Sequence, residues 1–329
     1  MMSEDVKQKM RQILLSCYDM DIDEAKCFYS TQNYAFIFPG KPSMLRVSIT
    51  PKKSRAEIMS ELMWVDDLKQ FKQTICEPNT SLNGRLLEEF EIDGKLYRAS
   101  MFRTARGNVE PVVQMNPMFF VCVGDLLGTI HHVSTNERKL QFHYKRKTLA
   151  EQFAQRKERA FPNLSPDVRA RIERIEAQVN ALPQDLGVYG ICHGDFHLNN
   201  FFVEANNVWL FDFDGCCYAH YLYDVVSLIQ GAFLLGYKAG EDCRKVMYED
   251  MLPYFKFGYE LNKETDEHYW DHLELMLAYR TAYTLMALAE IQDCGVLEIE
   301  GAKKFFSYII TQDSILDAMT FAIRRGKAR

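Results

Sequence analysis

The polar residues best suited to chemistry lie in one short stretch of the chain. Residues 193–200 read HGDFHLNN, and residues 209–214 read WLFDFD. In the first segment Asp195 and Asn200 are five positions apart, and in the second Asp212 follows an apolar, β-like run. A carboxylate that orients a hydroxyl, together with carboxylate and amide oxygens for Mg²⁺, is what phosphoryl transfer from ATP requires. These residue types therefore favour phosphoryl transfer.

The spacing of these residues strengthens that interpretation. In kinases the catalytic Asp and a metal-binding Asn share one loop, and a second metal-binding Asp follows on the next strand. Asp195, Asn200 and Asp212 have this arrangement, and Tyr223-Asp224 follows shortly afterwards. An isolated H-G-D is common and indicates only a loop aspartate, so the joint pattern carries the prediction of catalysis.

With these motifs the chain resembles the aminoglycoside phosphotransferase and choline kinase-like superfamily, in which H-G-D-x-x-x-x-N precedes I-D-F-D and a Y-D pair. It is most similar to the branch of type II homoserine kinases and bacterial stress-response kinases. Residues 44–47, MLRV, resemble the strand with the phosphate-binding cation, and residues 60–65, SELMWV, resemble the helix with its carboxylate partner. The resemblance implies a bilobal, protein-kinase-like α+β fold.

The resemblance also implies roles for single residues, and it implies ATP and Mg²⁺ as cofactors. Asp195 would be the catalytic base or the group that orients the hydroxyl, while Asn200 and Asp212 would hold Mg²⁺. Arg46 would contact the α- and β-phosphates of ATP, positioned by Glu61.

The residues around the nucleotide depart from the usual kinase pattern. Residues 29–34, YSTQNY, would form the covering turn, but the first glycine of the chain is Gly40, so no glycine-rich loop can cover the phosphates. The hinge that hydrogen-bonds adenine through its backbone would be Phe102–Thr104. Phosphate contact from the turn would then come from side chains or N–H groups of Ser30, Thr31 and Asn33.

The phosphate-binding cation is an arginine where many kinases have lysine. Arg46 keeps the charge, although its planar fork is not interchangeable with an ammonium group. Two acids compete to pair with it, Glu57 and Glu61. At about 100° per residue, the apolar stripe of the helix centres roughly 45° from Glu61 and roughly 85° from Glu57. Glu61 is therefore expected to point inward.

Four further polar residues are expected to support the catalytic loop. His193 and His197, at i and i+4, could suggest a metal site, but the segment is a loop, so imidazoles that orient it by hydrogen bonds are favoured. Asp214 is either a second metal ligand or a cap for the turn at Gly215. Asp224 is expected to pin the catalytic loop by accepting hydrogen bonds.

The elements that must position these residues begin with a small lobe, residues 1–105, whose hinge lies near 101–105. Apolar periodicity and turn residues predict a helix, a hairpin, a second helix capped by Ser54, and a second hairpin at Asp93-Gly94. The predicted elements are residues 4–18, Phe28–Phe38 with Ser43–Ile49, Ser54–Phe71, and Arg85–Ile92 with Leu96–Arg103.

The remainder, residues 106–329, is predicted to be mostly helical and to form the catalytic and substrate-binding lobe. Two strand candidates flank the polar loop, and at least four helices follow Ala219. The predicted elements are helices at Pro117–Val133 and from Ser165 to about Leu182, and strands at Val188–Cys192 and Val208–Phe213.

The C-terminal helices offer acids interleaved with aromatic residues. Ordinary packing and solvated faces explain such a pattern first, but an acidic, aromatic wall also suits a cationic, amine-bearing acceptor. These residues are Glu249, Asp250, Glu260, Glu264, Asp266, Glu267, Asp271 and Glu274, with Tyr254, Tyr259, Tyr269 and Trp270.

Composition excludes several classes of protein. The chain has 329 residues, of which 47% are hydrophobic and 26% charged, as in ordinary globular proteins. A net charge of −6 argues against a nucleic-acid surface. The N-terminus is charged from Glu4 and shows no secretory signal, and Ser227 and Arg280 interrupt the long apolar stretches, so we expect a cytoplasmic protein without a membrane partner.

The sequence therefore predicts a kinase that moves the γ-phosphate of ATP to a hydroxyl of a small molecule. The acceptor would be an amino alcohol, a homoserine-like compound or an aminoglycoside. A protein Ser/Thr kinase of the same fold, or a nucleotide-binding pseudokinase, are the alternatives, and the oligomeric state stays open.

Overall fold

The computed structural model describes residues 3–29, 33–49, 53–109, 115–136, 145–291 and 297–326. The chain divides into two compact units. The first comprises Met1–Gly107, Phe142–Lys145 and Trp209–Asp214, and the second comprises Asn108–Gln141, Arg146–Val208 and Gly215–Arg329. The first unit therefore includes a segment from far along the chain, and this segment contains Asp212.

The first unit combines an antiparallel sheet with two helices. Ser54 and Glu57 form a reciprocal capping box that begins the second helix. The Asp93-Gly94 turn has positive φ at both residues, 51° and 72°, as a two-residue hairpin requires. The elements are α1 (Glu4–Tyr18), β1 (Lys26–Tyr29), β2 (Asn33–Ile37), β3 (Ser43–Ile49), α2 (Arg55–Leu68), β4 (Pro78–Asn79), β5 (Glu88–Ile92) and β6 (Lys95–Arg103).

The sheet separates two apolar clusters. Its strand order is β1-β2-β3-β6-β4, and β5 also pairs with β6. Side chains alternate along β3, so that Leu45 and Val47 pack with α1, whereas Met44 packs with Ile58 and Leu62 of α2. Because Arg46 shares the face of Met44, it is turned towards α2.

The second unit is mainly helical, with two short strand pairs. β7 pairs with β10 and β8 pairs with β9, both as two-stranded sheets. The last two residues of β9 belong to the first unit. The elements are α3 (Pro117–Asn136), α4 (Leu149–Ala160), α5 (Pro166–Asn180), β7 (Tyr189–Cys192), β8 (Phe201–Glu204), β9 (Asn207–Leu210), β10 (Cys217–His220), α6 (Leu222–Leu234), α7 (Leu252–Glu260), α8 (Leu273–Glu290), α9 (Leu297–Thr311) and α10 (Ile315–Gly326).

The α+β prediction is confirmed, and most elements lie where the sequence predicts them. Three differences are corrections. Phe28–Phe38 is not one strand, because β1 and β2 are separate and pair antiparallel. The strand predicted at Val208–Phe213 ends at Leu210, since Phe213–Gly215 forms a 3₁₀ turn. The helix α4 was not predicted, although Thr148 and Glu151 form a capping box at its start.

Helices α3 and α7 approach each other at backbone distance. A Cβ on Gly124 would lie 2.2 Å from Phe255 O, and one on Gly128 would lie 2.3 Å from Tyr259 O. A Cβ on Gly258 would lie 2.0 Å from Val121 O. No larger side chain fits at these positions, so the glycines fix how closely α7 can carry Tyr259 to α3.

Helix α3 is also the most apolar helix in the described part of the chain that reaches membrane-spanning length. Pro117–Thr135 has a mean hydropathy of 1.2, but 61% of its most apolar window is buried inside the protein. Core helices have the same properties, so this finding is weak evidence for a membrane span. The expected cytoplasmic location stays a prediction.

Candidate active site

Arg46 and Glu61 form a buried ion pair in the first unit. Arg46 Nη1 lies 2.7 Å from Glu61 Oε1, and the two side chains are 11% and 0% exposed. The guanidinium also lies 4.8 Å from the centroid of the Phe102 ring. Glu57, the competing acid, accepts the Ser54 N–H at 2.8 Å and so caps the helix instead. The structure thus brings together the two residues that the helix phase selected.

The charges around Arg46 keep it protonated. Burial alone would lower the pKa of Arg46, but Glu61, followed by Asp214, raises it above its ordinary value. Glu61 Oε2 is buried and accepts no hydrogen bond from the described residues. Arg46 is therefore a permanent cation held by one carboxylate oxygen.

Asp212 and Asp214 follow β9 in a strained turn of the first unit. Asp212 has a φ of 62°, a left-handed conformation that costs a non-glycine residue free energy and that Asp tolerates better than most. Phe213 is buried and lies edge-on to Trp64, with ring centroids 5.4 Å apart. The turn is anchored by this apolar contact, while the Asp212 carboxylate is exposed and receives no hydrogen bond from the residues described.

Asp214 is paired with a cation that sequence reasoning missed. Lys53 Nζ lies 2.7 Å from Asp214 Oδ1 and also donates to the Asp214 carbonyl oxygen. Lys53 precedes the cap of α2, and nothing in its sequence context signals a partner in the turn after β9. The two expected roles of Asp214, metal ligand or turn cap, both stay predictions.

The nucleotide-binding candidates of the small lobe are only partly described. Ser30 and Thr31 lie outside the described residues. Asn33 begins β2, and its Oδ1 accepts a hydrogen bond from Ser48 Oγ at 2.6 Å.

The stretch predicted as the hinge already uses backbone donors within the protein. Thr104 N donates to Pro42 O at 3.0 Å, and Arg103 N donates to Glu77 O at 2.9 Å. The Phe102 ring packs against Arg46. Adenine contact from Phe102–Thr104 therefore stays a prediction, and these two amides would have to exchange partners to make it.

In the second unit, the loop after β7 depends on a glycine. Gly194 has a φ of 80°, and a Cβ there would lie 2.2 Å from Gly215 O. Left-handed backbone and close approach to another chain segment both exclude larger residues. The glycine of the H-G-D motif is thus required by the shape of the loop.

Asp195 is held on both sides by donors. Its Oδ2 lies 3.2 Å from His197 Nε2, and its Oδ1 accepts a hydrogen bond from Arg280 Nη2 at 2.8 Å. Burial alone would raise the pKa of Asp195, but the hydrogen bond from His197 and the charge of Arg280 hold it well below its usual range. Asp195 is therefore ionised, and it is a weak base with a fixed orientation.

The two histidines of the motif organise the loop through backbone contacts. His193 Nδ1 accepts the Asp195 N–H at 3.3 Å, and His197 Nδ1 accepts the Asn199 N–H at 3.2 Å. With its Nδ1 acting as acceptor, a neutral His197 carries its proton on Nε2, which faces Asp195. These contacts favour loop orientation over metal binding.

Asn200 ends a short 3₁₀ turn and is anchored through its amide nitrogen. Its Nδ2 donates to the Asp195 carbonyl oxygen at 2.9 Å. No described residue donates a hydrogen bond to Oδ1, an oxygen of the kind that binds Mg²⁺. Asn200 and Asp212 thus each offer a carbonyl or carboxylate oxygen suited to a hard divalent cation.

Asp224 anchors the catalytic loop from a fully buried position at the start of α6. It accepts the N–H groups of His193 and Gly194, both at 2.8 Å. His131 Nε2 lies 3.2 Å from the same carboxylate, and His131 Nδ1 lies 2.8 Å from Tyr259 Oη. Burial lowers the pKa of His131, against the opposing effect of Asp224. A neutral His131 then donates to Asp224 and accepts from Tyr259.

The strongest sequence signals found only part of this arrangement. His131 reaches Asp224 from α3, Tyr259 contacts His131 from α7, and Arg280 reaches Asp195 from α8. The signal for Arg280 was its charge within the apolar run Met276–Ala289.

The predicted acidic, aromatic wall is split by the structure. Asp250 is paired with Lys238, and Glu274 is paired with Arg244. Other members line an open cavity of about 530 Å³, together with Thr265. These cavity residues are Glu260, Glu264, Asp266, Glu267 and Trp270.

The first unit has a sheet with a buried arginine–glutamate pair. The second unit is mainly helical, and a buried aspartate anchors its H-G-D loop. Together these features define a phosphotransferase of the protein-kinase-like fold. Residues 29–251 match the family model described as "Phosphotransferase enzyme family". The chain belongs to this family, and the prediction of a phosphotransferase enzyme is confirmed.

Individual proteins similar to the chain are amicoumacin kinases and an aminopropanol kinase. Amicoumacin kinase of Bacillus subtilis (strain 168) is 21% identical over 252 residues, which cover 76% of this chain and 75% of that protein. A solved amicoumacin kinase in complex with AMP-PNP and Ca²⁺ has a TM-score of 0.80 at 20% identity, covering 95% and 97% of the two chains. A microcompartment-associated aminopropanol kinase has a TM-score of 0.71 at 18% identity, covering 98% of each chain.

Proposed function

We propose that the protein is an ATP- and Mg²⁺-dependent kinase that phosphorylates a hydroxyl group of a small amine-bearing molecule. The observation that supports this best is the Asp195 loop. Its carboxylate is half-exposed, at 42%, yet both of its oxygens are held by donors. Such a group is open to a substrate and has a defined direction, as a hydroxyl-orienting residue needs.

In the proposed reaction, Asp195 accepts a hydrogen bond from the acceptor hydroxyl. The hydroxyl oxygen forms a bond to the γ-phosphorus as the bond to the bridging oxygen breaks, and the electron pair of that bond leaves with ADP. The hydroxyl proton passes to Asp195 and then to water. A weak base suffices because the transition state of phosphoryl transfer is loose and the proton is transferred late.

The remaining roles concern the nucleotide. Asn200 and Asp212 would hold Mg²⁺, which neutralises charge on the phosphates when bound. Arg46, fixed by Glu61, would bind the phosphates as a permanent cation. Ser30, Thr31 and Asn33 would contact them from the covering turn, with adenine near Phe102–Thr104.

The negative charge of one surface cavity supports the proposed class of acceptor. The cavity lined by Glu260, Glu264, Asp266, Glu267 and Trp270 offers four carboxylates, and carboxylates attract ammonium groups. The Trp270 ring already has a cation against it, since Lys256 Nζ lies 4.7 Å from its centroid. The named relatives act on amicoumacin and aminopropanol, which supports an amino alcohol, a homoserine-like compound or an aminoglycoside as the acceptor.

The test is ADP formation with ATP and Mg²⁺ over a panel of amino alcohols, aminoglycosides, amicoumacin and homoserine. A dephosphorylated protein substrate serves as the comparison arm. We expect turnover with at least one small amine-bearing alcohol and none in D195N. The matched control is D185N, which changes another loop aspartate that accepts a backbone N–H two residues on. Turnover with the protein substrate and with no small molecule would favour a protein kinase. ATP consumption that no acceptor in the panel increases would contradict the proposed substrate class.

A further inference from the structure

Arg280 lies outside the sequence motifs and makes direct contact with Asp195. It lies on α8, 85 positions along the chain from its partner. Its Nη2 donates to Asp195 Oδ1 at 2.8 Å, and its Nη1 donates to Tyr223 Oη at 2.9 Å. The arginine fork therefore joins the catalytic loop to α6 and α8.

The burial of the pair is uneven. The Arg280 side chain is 12% exposed, whereas that of Asp195 is 42% exposed. Arg280 Nε is buried and donates no hydrogen bond to a described residue. A cation buried with one unused donor carries a desolvation cost, and an apolar side chain would fill the same volume more cheaply. Stability alone is thus a poor explanation for an arginine at this position.

An orienting effect of Arg280 on the Asp195 carboxylate explains the contact better than stability does. An ionised carboxylate has about four lone-pair directions on its two oxygens. Arg280 takes one on Oδ1, and His197 takes one on Oδ2. Two donors on opposite oxygens prevent the carboxylate from rotating about its Cβ–Cγ bond, so the unoccupied lone pairs keep fixed directions.

Resting on the proposed kinase function, we propose that Arg280 is a positioning residue: it fixes the plane of the Asp195 carboxylate so that a free lone pair faces the acceptor hydroxyl. Tyr223, in turn, fixes the fork of Arg280. Arg280 is not proposed to touch ATP, and the effect of changing it passes through Asp195.

The test compares R280M with R280K. Methionine keeps an unbranched apolar stem that ends near the position of Nε and removes the guanidinium fork, and Asp195 is 42% exposed, so water can solvate it when the fork is lost. Misplacement of a reacting group by about 1 Å can cost 100-fold in rate. For R280M we expect kcat to fall about 10- to 100-fold, while KM for ATP and KM for the acceptor stay within about threefold. R280K keeps a charge but lacks the fork, so it should recover part of the lost kcat.

The matched control is R156M. Arg156 also packs against a tyrosine, with its guanidinium 4.0 Å from the Tyr283 ring, and pairs with a glutamate, but it does not contact Asp195. R156M should keep kcat within about twofold of the wild-type value, while its change in the free energy of unfolding should be similar to that of R280M.

Four results would overturn the proposal. They are a wild-type kcat in R280M, a rise in acceptor KM with unchanged kcat, no recovery in R280K, or a loss in R156M equal to that in R280M. If R280M does not fold, R280K and Y223F provide the test instead. Both substitutions weaken the hydrogen bonds that hold the Arg280 fork, so both should lower kcat without raising KM for ATP. Turnover by wild type and R156M shows in each case that the kinase function itself stands.

Discussion

Each unit contains an arginine–carboxylate ion pair, and the two pairs differ in which member is more buried: the carboxylate in the first unit and the arginine in the second. In the first unit Glu61 is the more buried member, at 0% exposure, and Arg46, at 11%, is the member proposed to bind the phosphates. In the second unit Arg280 is the more buried member, at 12%, and Asp195, at 42%, is the member proposed to orient the acceptor. The same interaction thus presents a cation in one unit and an anion in the other. In both, the more buried partner sets the direction of the less buried one.

The largest effect should follow from removing the exposed member of the second pair. In D195N the side chain keeps its size and loses its charge, so kcat should fall about 10²- to 10⁴-fold. The affinity for a non-hydrolysable ATP analogue, measured by calorimetry, should change less than about threefold. R46M is the counterpart in the first unit and should weaken binding of the analogue instead. An equal loss of nucleotide affinity in both variants would break the distinction between the pairs.

The next largest effect concerns the loop that carries Asp195. G194A combines a left-handed φ of 80° with a Cβ that would lie 2.2 Å from Gly215 O. A left-handed non-glycine residue alone costs about 1–2 kcal/mol, so the free energy of unfolding should fall by at least that much, with a loss of activity. Urea unfolding and initial rates measure both.

The control for that variant is G301A at an exposed position of α9, where an added Cβ meets nothing within 4 Å. It should raise the free energy of unfolding by about 0.5–1 kcal/mol. Equal stability changes in the two variants would contradict the constraint on the loop.

A smaller effect should follow from weakening the buried member of the first pair. E61Q removes the counter-charge that pairs directly with Arg46, and hydrogen bonds to charged groups contribute about 1.5–3 kcal/mol. We therefore expect kcat/KM for ATP to fall roughly 10- to 100-fold. The same chemical change one helical turn earlier, E57Q, should leave it unchanged because Glu57 caps α2. A loss in E57Q as large as in E61Q would contradict the choice of Glu61.

The smallest effect concerns a third pair that has no buried member. Arg11 donates two hydrogen bonds to Asp21 at the surface, at 2.6 and 2.5 Å. The hydrogen bond from Arg11 lowers the pKa of Asp21 from 3.8 to about 2. A depressed carboxyl pKa contributes stability above the unfolded value, and this is lost as pH falls from about 4 to about 2. The small difference in urea midpoint between wild type and D21N should therefore narrow over that range, and a constant difference would contradict this origin.

The residues that the sequence located well are those whose spacing is set by local structure. Asp195 and Asn200 lie five positions apart on one loop, where Asn200 Nδ2 donates to the Asp195 carbonyl oxygen, while the metal-binding roles of Asn200 and Asp212 stay predictions. Glu61 was found because helix phase decides between two acids four positions apart. In these cases local spacing and helix phase decide which of the neighbouring residues can face a partner.

The contacts that the sequence did not reveal depend on tertiary packing. Arg280 meets Asp195 across 85 positions, and Tyr259 meets His131 across 128. The strand β7 pairs with β10 rather than with the strand nearer in the chain. Apolar patterns predict that α3, α7 and α8 are buried, but not which neighbours they meet, because that depends on close approaches such as the glycine contacts of α3 and α7.

The segment after β9 has a consequence for how the protein is made. Leu210 N donates to Thr74 O and Leu210 O accepts from Cys76 N, both at 2.9 Å, so the first unit contains backbone pairing that residues 1–107 alone cannot supply. At about 5–20 residues per second, the ribosome needs roughly 5–20 s more to reach residue 214. We expect the small unit to complete its fold only after most of the catalytic loop has left the ribosome, and a chain cut after residue 107 to be a poor source of an isolated nucleotide-binding unit.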